Sequence, residues 1–230
     1  MIDNDPNLLV VQLVAASLGD LMNELVLVGG CAVGLLITDG SRPPIRQTID
    51  VDVVAEVTTK VQYYDLRDRL VDLGFRDNEN SDVICRFTKG ELVLDVMSTE
   101  ENVLGFSNEW YEDAARRPLT TRLPNGVNLR HISAPLFLAT KITSFHGRGG
   151  GDFMHHDIED IVNLVDGRAE LADEIDAEVP GVSEFIRDEI DGMLGNPQFT
   201  SNIVRHFHPS EDHVERLAIV LERLRRIAGV

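Results

Sequence analysis

The chain has 230 residues, 43% of them hydrophobic, an ordinary share for a globular protein that buries a core as one domain or two small ones. Its 21 basic and 39 acidic residues give a formal net charge of −18, which argues against tight non-specific nucleic-acid binding unless the basic residues cluster. A salt-adapted acidic proteome would give the same balance. Two cysteines, Cys31 and Cys85, exclude a disulfide framework, and both read as small buried hydrophobes. No apolar run approaches the roughly 20 residues that span a bilayer. The acidic start Met1-Ile2-Asp3-Asn4-Asp5 lacks the basic region of a signal peptide. A soluble, cytoplasmic protein with no membrane contact is the expectation.

Leu8 to Leu18 is so densely apolar that a buried helix is predicted. Leu25-Val26-Leu27-Val28 is a continuous apolar run stopped by Gly29-Gly30, which reads as a buried strand feeding a tight turn. A helix is predicted over Cys31 to Ile37 and a loop over Thr38 to Pro44. Thr48-Ile49-Asp50-Val51-Asp52-Val53-Val54 alternates as a half-buried strand does. Val61 to Leu73 reads as an amphipathic helix anchored by Tyr64, Leu66 and Leu70 and stopped at Gly74. Val83 to Phe87 and Leu92 to Met97 read as strands joined by a turn at Thr88 to Glu91, with one more strand at Val127 to Ile132.

From Ala134 onward the pattern is helical. Helices are expected from Ala134 to about Phe145, from Asp157 to Val165 and from about Asp212 to Ile227, with Gly147 to Gly151 as an interruption. The predicted fold class is therefore α/β (α+β): a mixed sheet flanked by helices, followed by a helical C-terminal region. The expected division is residues 1–132 for a catalytic domain and 133–230 for a helical one.

Asp50 and Asp52 stand two apart on a predicted strand, so both side chains leave the same face while Val51 and Val53 enter the core. Adjacent carboxylates repel and become tolerable around a hard cation such as Mg2+ (or Mn2+). Asp95 interrupts the apolar strand Leu92 to Met97, and a carboxylate in such a run needs a partner. If these strands are neighbours the three carboxylates converge, the arrangement of two-metal phosphoryl chemistry. Gly29-Gly30 at a strand-to-helix junction leaves backbone N–H groups facing an anion. The plainer readings are a simple turn and the solvent face of an edge strand.

Gly29-Gly30-Cys31-Ala32 followed by Arg46-Gln47-Thr48-Ile49-Asp50-Val51-Asp52-Val53 resembles the polymerase-β-like nucleotidyltransferase superfamily. The Arg-x-Thr-x-Asp-x-Asp form is most similar to the branch that contains the AbiEii-type toxins of abortive-infection systems. Lys141 to Arg148 and Asp157 to Val162 are similar to that branch's later motifs, so the resemblance covers about residues 24 to 166. It implies a nucleotidyltransferase-type sheet and metal ions at Asp50, Asp52 and Asp95. It also implies nucleotide contacts at Gly29, Gly30, Arg46, Lys141 and Arg148, and support from one of Asp157 and Asp160. It implies transfer of a nucleoside monophosphate from an NTP donor to an acceptor hydroxyl of tRNA, protein or a small molecule. A toxin of a toxin–antitoxin system, with an antitoxin partner, is a further implication. Many superfamily members have Gly-Ser where this chain has Gly29-Gly30, so a serine contact to the phosphates is missing.

Plainer roles exist for the supporting cations: Lys141 snorkelling from an apolar helix, Arg148 as a loop charge, Arg46 pairing with an acidic neighbour. Two rivals come from other classes. One is a catalytically silent module that binds nucleotide or a partner. The other is an HD-type metal phosphohydrolase built on His155-His156-Asp157, enlisting His131, His146 and Asp160. His206, His208 and His213 read as a solvated loop cluster. Arg223, Arg225 and Arg226 read as a solvated helix end, or as the basic patch an RNA acceptor needs.

Overall fold

The computed structural model describes residues 5–77 and 83–230; the acidic tetrapeptide at the start lies outside them. In chain order the first elements are α1 (Leu8–Leu18), β1 (Leu25–Val28), α2 (Val33–Leu36), β2 (Asp50–Ala55), α3 (Lys60–Asp72), β3 (Arg76–Asp77), β4 (Arg86–Lys89) and β5 (Leu92–Ser98). Then come α4 (Glu101–Leu104), α5 (Tyr111–Arg116), β6 (Leu119–Arg122), β7 (Asn128–His131), α6 (Ala134–Arg148) and α7 (His156–Gly167). The chain ends with α8 (Leu171–Asp176), α9 (Pro180–Leu194), α10 (Pro197–Asn202) and α11 (His213–Ala228).

Contacts divide the described residues into two compact units: Asp5–Ala32 with Arg46–Ser133, and Val33–Ile45 with Ala134–Val230. Residues 33–45 thus group with the C-terminal helices, whereas the sequence reading puts them in the first region.

The first unit is built on a mixed sheet, which among the described residues has seven strands in the order β3-β4-β5-β2-β1-β7-β6. β1 lies inside it and all four of its residues are buried, as its uninterrupted apolar run requires. Each such side chain contributes about 1.5–3 kcal/mol on burial. β1 runs antiparallel to β2, and β2 runs parallel to β5. The β4–β5 hairpin is tighter than the expected four-residue turn. Lys89 pairs with Leu92, leaving Gly90 and Glu91 as the turn, and Val83 to Cys85 lie outside the strand. β6, not foreseen, pairs antiparallel with β7.

α3 starts at a capping box in which Thr59 and Gln62 exchange hydrogen bonds. Its buried anchors are Tyr63, Leu66 and Leu70, and Tyr64 is exposed, which corrects the predicted anchor. Positions 63, 66 and 70 fall on one helical face and 64 falls outside it. The Tyr63 hydroxyl donates to the Val96 carbonyl at 3.0 Å, so the ring's polar end is satisfied where it is buried.

In the second unit α6 runs on to Arg148, past the expected stop near Phe145. α2 packs on α7. Gly167 admits this approach: a Cβ there would lie 2.8 Å from two Ile37 side-chain carbons, and its carbonyl accepts from Thr38 N and Asp39 N, each at 3.0 Å. Asp166, fully buried, is paired with Arg42 and Arg216. Arg223 donates to the Val165 and Asp166 carbonyls at the end of α7, so it caps a helix and is not a free solvated charge. Among the described residues no helix is long and apolar enough to cross a membrane.

Candidate functional site

The parallel pairing of β2 and β5 sets Asp52 directly opposite Asp95. Residues opposed across a ladder share a face, and so do residues two apart on a strand. Asp50, Asp52 and Asp95 therefore leave the same side of the sheet. Asp95 is nearly enclosed, at 6% exposure, while Asp50 and Asp52 are half-buried.

The register of the β4–β5 hairpin adds a residue that was not singled out from the sequence. Arg86 is paired opposite Asp95. Its Nε and Nη2 donate to the two Asp95 oxygens at 2.8 and 2.7 Å, a bidentate fork, and Nη2 also reaches Asp50 Oδ2 at 2.5 Å. The other Asp50 oxygen accepts from the Thr48 hydroxyl at 3.0 Å. One guanidinium thus bridges two of the three carboxylates. Two-residue hairpin counting would have placed Arg86 against Asp95, since a Gly90-Glu91 turn fixes every pair behind it.

Gly29 sits at the mouth of this face with φ +64°, and a Cβ built there would lie 2.0 Å from Asp52 Oδ2. Glycine is needed here because the Asp52 carboxylate fills the space where a side chain would stand. Gly30 opens a single 3-10 turn, Gly30–Ala32. Gly29→Ala is expected to destabilise the protein by about 2 kcal/mol or more, from the left-handed backbone and the displaced carboxylate together. Gly19→Ala is the control, with φ +55° and open space around it. Urea denaturation giving equal losses for the two would remove the Asp52 contact from the account.

Cys31 packs beneath the site, its thiol donating to the Asp50 carbonyl at 3.3 Å. Burial, and then the charge of Asp52, push its pKa far above the ordinary thiol value, while the Arg46 charge pulls it down, which places Arg46 within electrostatic reach. Burial and then Asp95 and Asp52 push Cys85 up to about 12. Neither thiol is a nucleophile at neutral pH. Arg46 is also fixed through its backbone: its carbonyl accepts from the fully buried Asn7 side chain at 3.0 Å, and Asn7 Oδ1 takes the Thr48 N–H at 2.9 Å.

Lys141, Arg148, Asp157 and Asp160 belong to the second unit and form a cluster of their own. Lys141 does not reach solvent: it is 5% exposed, held by Asp160 at 2.6 Å and Asp157 at 3.2 Å. Arg148 grips Asp157 with Nε and Nη2, both at 2.9 Å. Burial opposes the Asp157 charge, but the Arg148 hydrogen bonds and the Lys141 charge outweigh it and hold its pKa down at about 2.

Among the described residues, His155, His156 and Asp157 form a group of three potential ligands with donor atoms within 4.8 Å of one another. A cation there would meet a carboxylate already bound by Lys141 and Arg148. His155 Nδ1 accepts the Asp157 backbone N–H at 3.2 Å as the cap of α7. The further ligands the phosphohydrolase reading needs are engaged elsewhere: His146 with Glu189 at 2.5 Å, His131 with Thr121 at 2.9 Å. His206 and His213 donate to the carbonyls of Phe153 and His208, and His208 meets Ser210.

In fold the chain is similar to an antigenic nucleotidyltransferase-like protein from Paracoccidioides brasiliensis, with 20% identity, 90% of this chain and 95% of that one covered, and a TM-score of 0.51. The mixed sheet with its flanking helices is thus a nucleotidyltransferase-like fold. JHP933 from Helicobacter pylori aligns over 100% of this chain and 94% of its own at 12% identity, with a TM-score of 0.49. No family model and no curated protein matches the sequence.

Proposed function

We propose that this protein is a metal-dependent nucleotidyltransferase that moves a nucleoside monophosphate from an NTP to an acceptor hydroxyl. The observation that carries the reading is the shared face of Asp50, Asp52 and Asp95 on the adjacent strands β2 and β5, beside the Gly29 turn. The donor set suits a hard divalent ion: three carboxylates, offset by one arginine, with the Asp52 carboxylate seated where a Cβ at position 29 would be. Asp50, Asp52 and Asp95 would hold Mg2+ (or Mn2+), which supplies charge stabilisation at the transferring phosphoryl group.

In the reaction the acceptor oxygen bonds to the α-phosphorus of the NTP. The bond from that phosphorus to the bridging oxygen breaks, and pyrophosphate leaves with the electron pair. Asp95, nearly enclosed, orients the acceptor hydroxyl and takes its proton. Gly29 and Gly30 bring the backbone close to the phosphates. Arg46 is the cation of the first unit that the triphosphate would use; Lys141 and Arg148, the further cations the family resemblance implies, are held by Asp157 and Asp160 within the second unit. The acceptor is a hydroxyl of tRNA, protein or a small molecule. The Arg46-x-Thr48-x-Asp50-x-Asp52 motif supports an AbiEii-like toxin role with an antitoxin partner.

A catalytically silent nucleotide- or partner-binding module is the second reading. Arg86 favours it by satisfying Asp50 and Asp95 without any metal. Thermal unfolding with Mg2+ and each NTP in turn separates the two. A ligand at about 100 times its dissociation constant adds roughly 2.7 kcal/mol to the folded state. A Mg2+-dependent rise in Tm with at least one NTP, lost in the Asp50→Asn, Asp52→Asn double variant, is expected of the enzyme. A rise that needs no Mg2+ and survives in that variant would point to the silent module.

A further inference from the structure

From the geometry of the sheet face we infer that Arg86 is a resting counter-ion for the carboxylates, and that a divalent ion enters by displacing it. The inference rests on the metal-binding reading above. Both Asp95 oxygens accept from Arg86, and the two Asp50 oxygens accept from Arg86 and Thr48. Arg86 thus lies against both Asp95 oxygens and one of Asp50, so an ion shared by the two carboxylates must share that space with a guanidinium of like charge or displace it.

Three features make the exchange physical. Arg86 brings one positive charge to the two carboxylates it holds, Asp50 and Asp95, so this pair stays net negative and a divalent cation is still attracted. The Arg86 side chain is 24% exposed whereas that of Asp95 is 8% exposed, so Arg86 has the wider path to solvent. Leaving Asp95 without a partner would be costly, so departure of the arginine and arrival of the ion are coupled. An arginine keeps its charge in a protein, so the exchange is a competition between cations and not a deprotonation.

The test is binding of Mn2+ alone, followed by calorimetry and by the electron paramagnetic resonance of free Mn2+, in wild type, Arg86→Gln and Arg86→Lys. Arg86→Gln should bind Mn2+ about tenfold or more tightly, since a competing positive charge at contact distance is gone. Arg86→Lys, which keeps the charge but not the fork, should fall between. Without metal, Arg86→Gln should unfold at a lower temperature than wild type, and Mn2+ should narrow the gap. Equal or weaker Mn2+ binding by Arg86→Gln, with wild type binding well, would overturn the counter-ion role and leave the metal site standing. No Mn2+ binding by any of the three proteins would remove both. If Arg86→Gln does not fold, the Arg86 Nε–H resonance of the wild type is followed as Mg2+ is added. It should move and exchange faster with water; an unchanged resonance at saturating Mg2+ would overturn the inference.

Discussion

Asp52→Asn is expected to abolish nucleotidyl transfer while leaving a folded protein. The substitution keeps the shape of the side chain that packs against Gly29 and removes only its charge. Asp52 stands at the centre of the face, two residues from Asp50 and opposite Asp95. Deleting one preorganised electrostatic partner of a transition state costs about 10²- to 10³-fold in rate, and loss of a shared metal ligand should cost at least that. Stability should change much less than activity. Without metal Asp52 stands beside Asp50 and opposite Asp95, so relief of like-charge repulsion is expected to offset part of any loss in the thermal midpoint. The paired measurements are pyrophosphate release and thermal unfolding with and without Mg2+. A variant that transfers at the wild-type rate would sink the assignment of Asp52 as a ligand.

Asp157→Ala is expected to produce the largest loss of stability. Asp157 is fully buried and takes hydrogen bonds from Lys141 and both arms of Arg148. Removing it leaves the buried Lys141 with Asp160 as its carboxylate partner and releases Arg148. Breaking a buried ion pair by deleting one partner costs about 3–5 kcal/mol, readable as a fall in the urea midpoint at unchanged slope. The same network predicts a pH dependence. Unfolded, an aspartate titrates near 3.9; folded, Asp157 is held at about 2. A depressed folded value means the contribution is complete above about pH 4 and is lost as pH falls through about 2. Wild type should lose on the order of 2 kcal/mol more than Asp157→Ala across that window. Parallel acid-denaturation curves for the two proteins would show that the network does not hold Asp157 ionised.

Two carboxylates on one face of β2 follow from the period of two in Thr48 to Val54 alone, and a close approach at Gly29 from a glycine pair ending an apolar strand. The sequence also contained the break at Ala134 and the buried character of β1. These are local properties, set by spacing and by the backbone freedom of single residues. What covers Gly29 was not local. The group that needs its missing Cβ is Asp52, 23 residues away in the chain, brought there by the β1–β2 pairing.

Only the tertiary structure decided the partners of the charged groups. Arg86 reads from sequence as an ordinary strand residue; the hairpin register and the parallel β2–β5 pairing make it the arginine that bridges Asp50 and Asp95. Lys141 reads as a helix lysine reaching water; packing of α6 on α7 buries it between Asp157 and Asp160. Residues 33–45, continuous in sequence with the glycine turn, belong by contact to the C-terminal helices, where Ile37 packs against the bare face of Gly167. Periodicity fixes which way a side chain points along its own strand or helix. Which charge it meets depends on pairings between distant segments, and those are selected by burial of the whole core and not by any one segment's pattern.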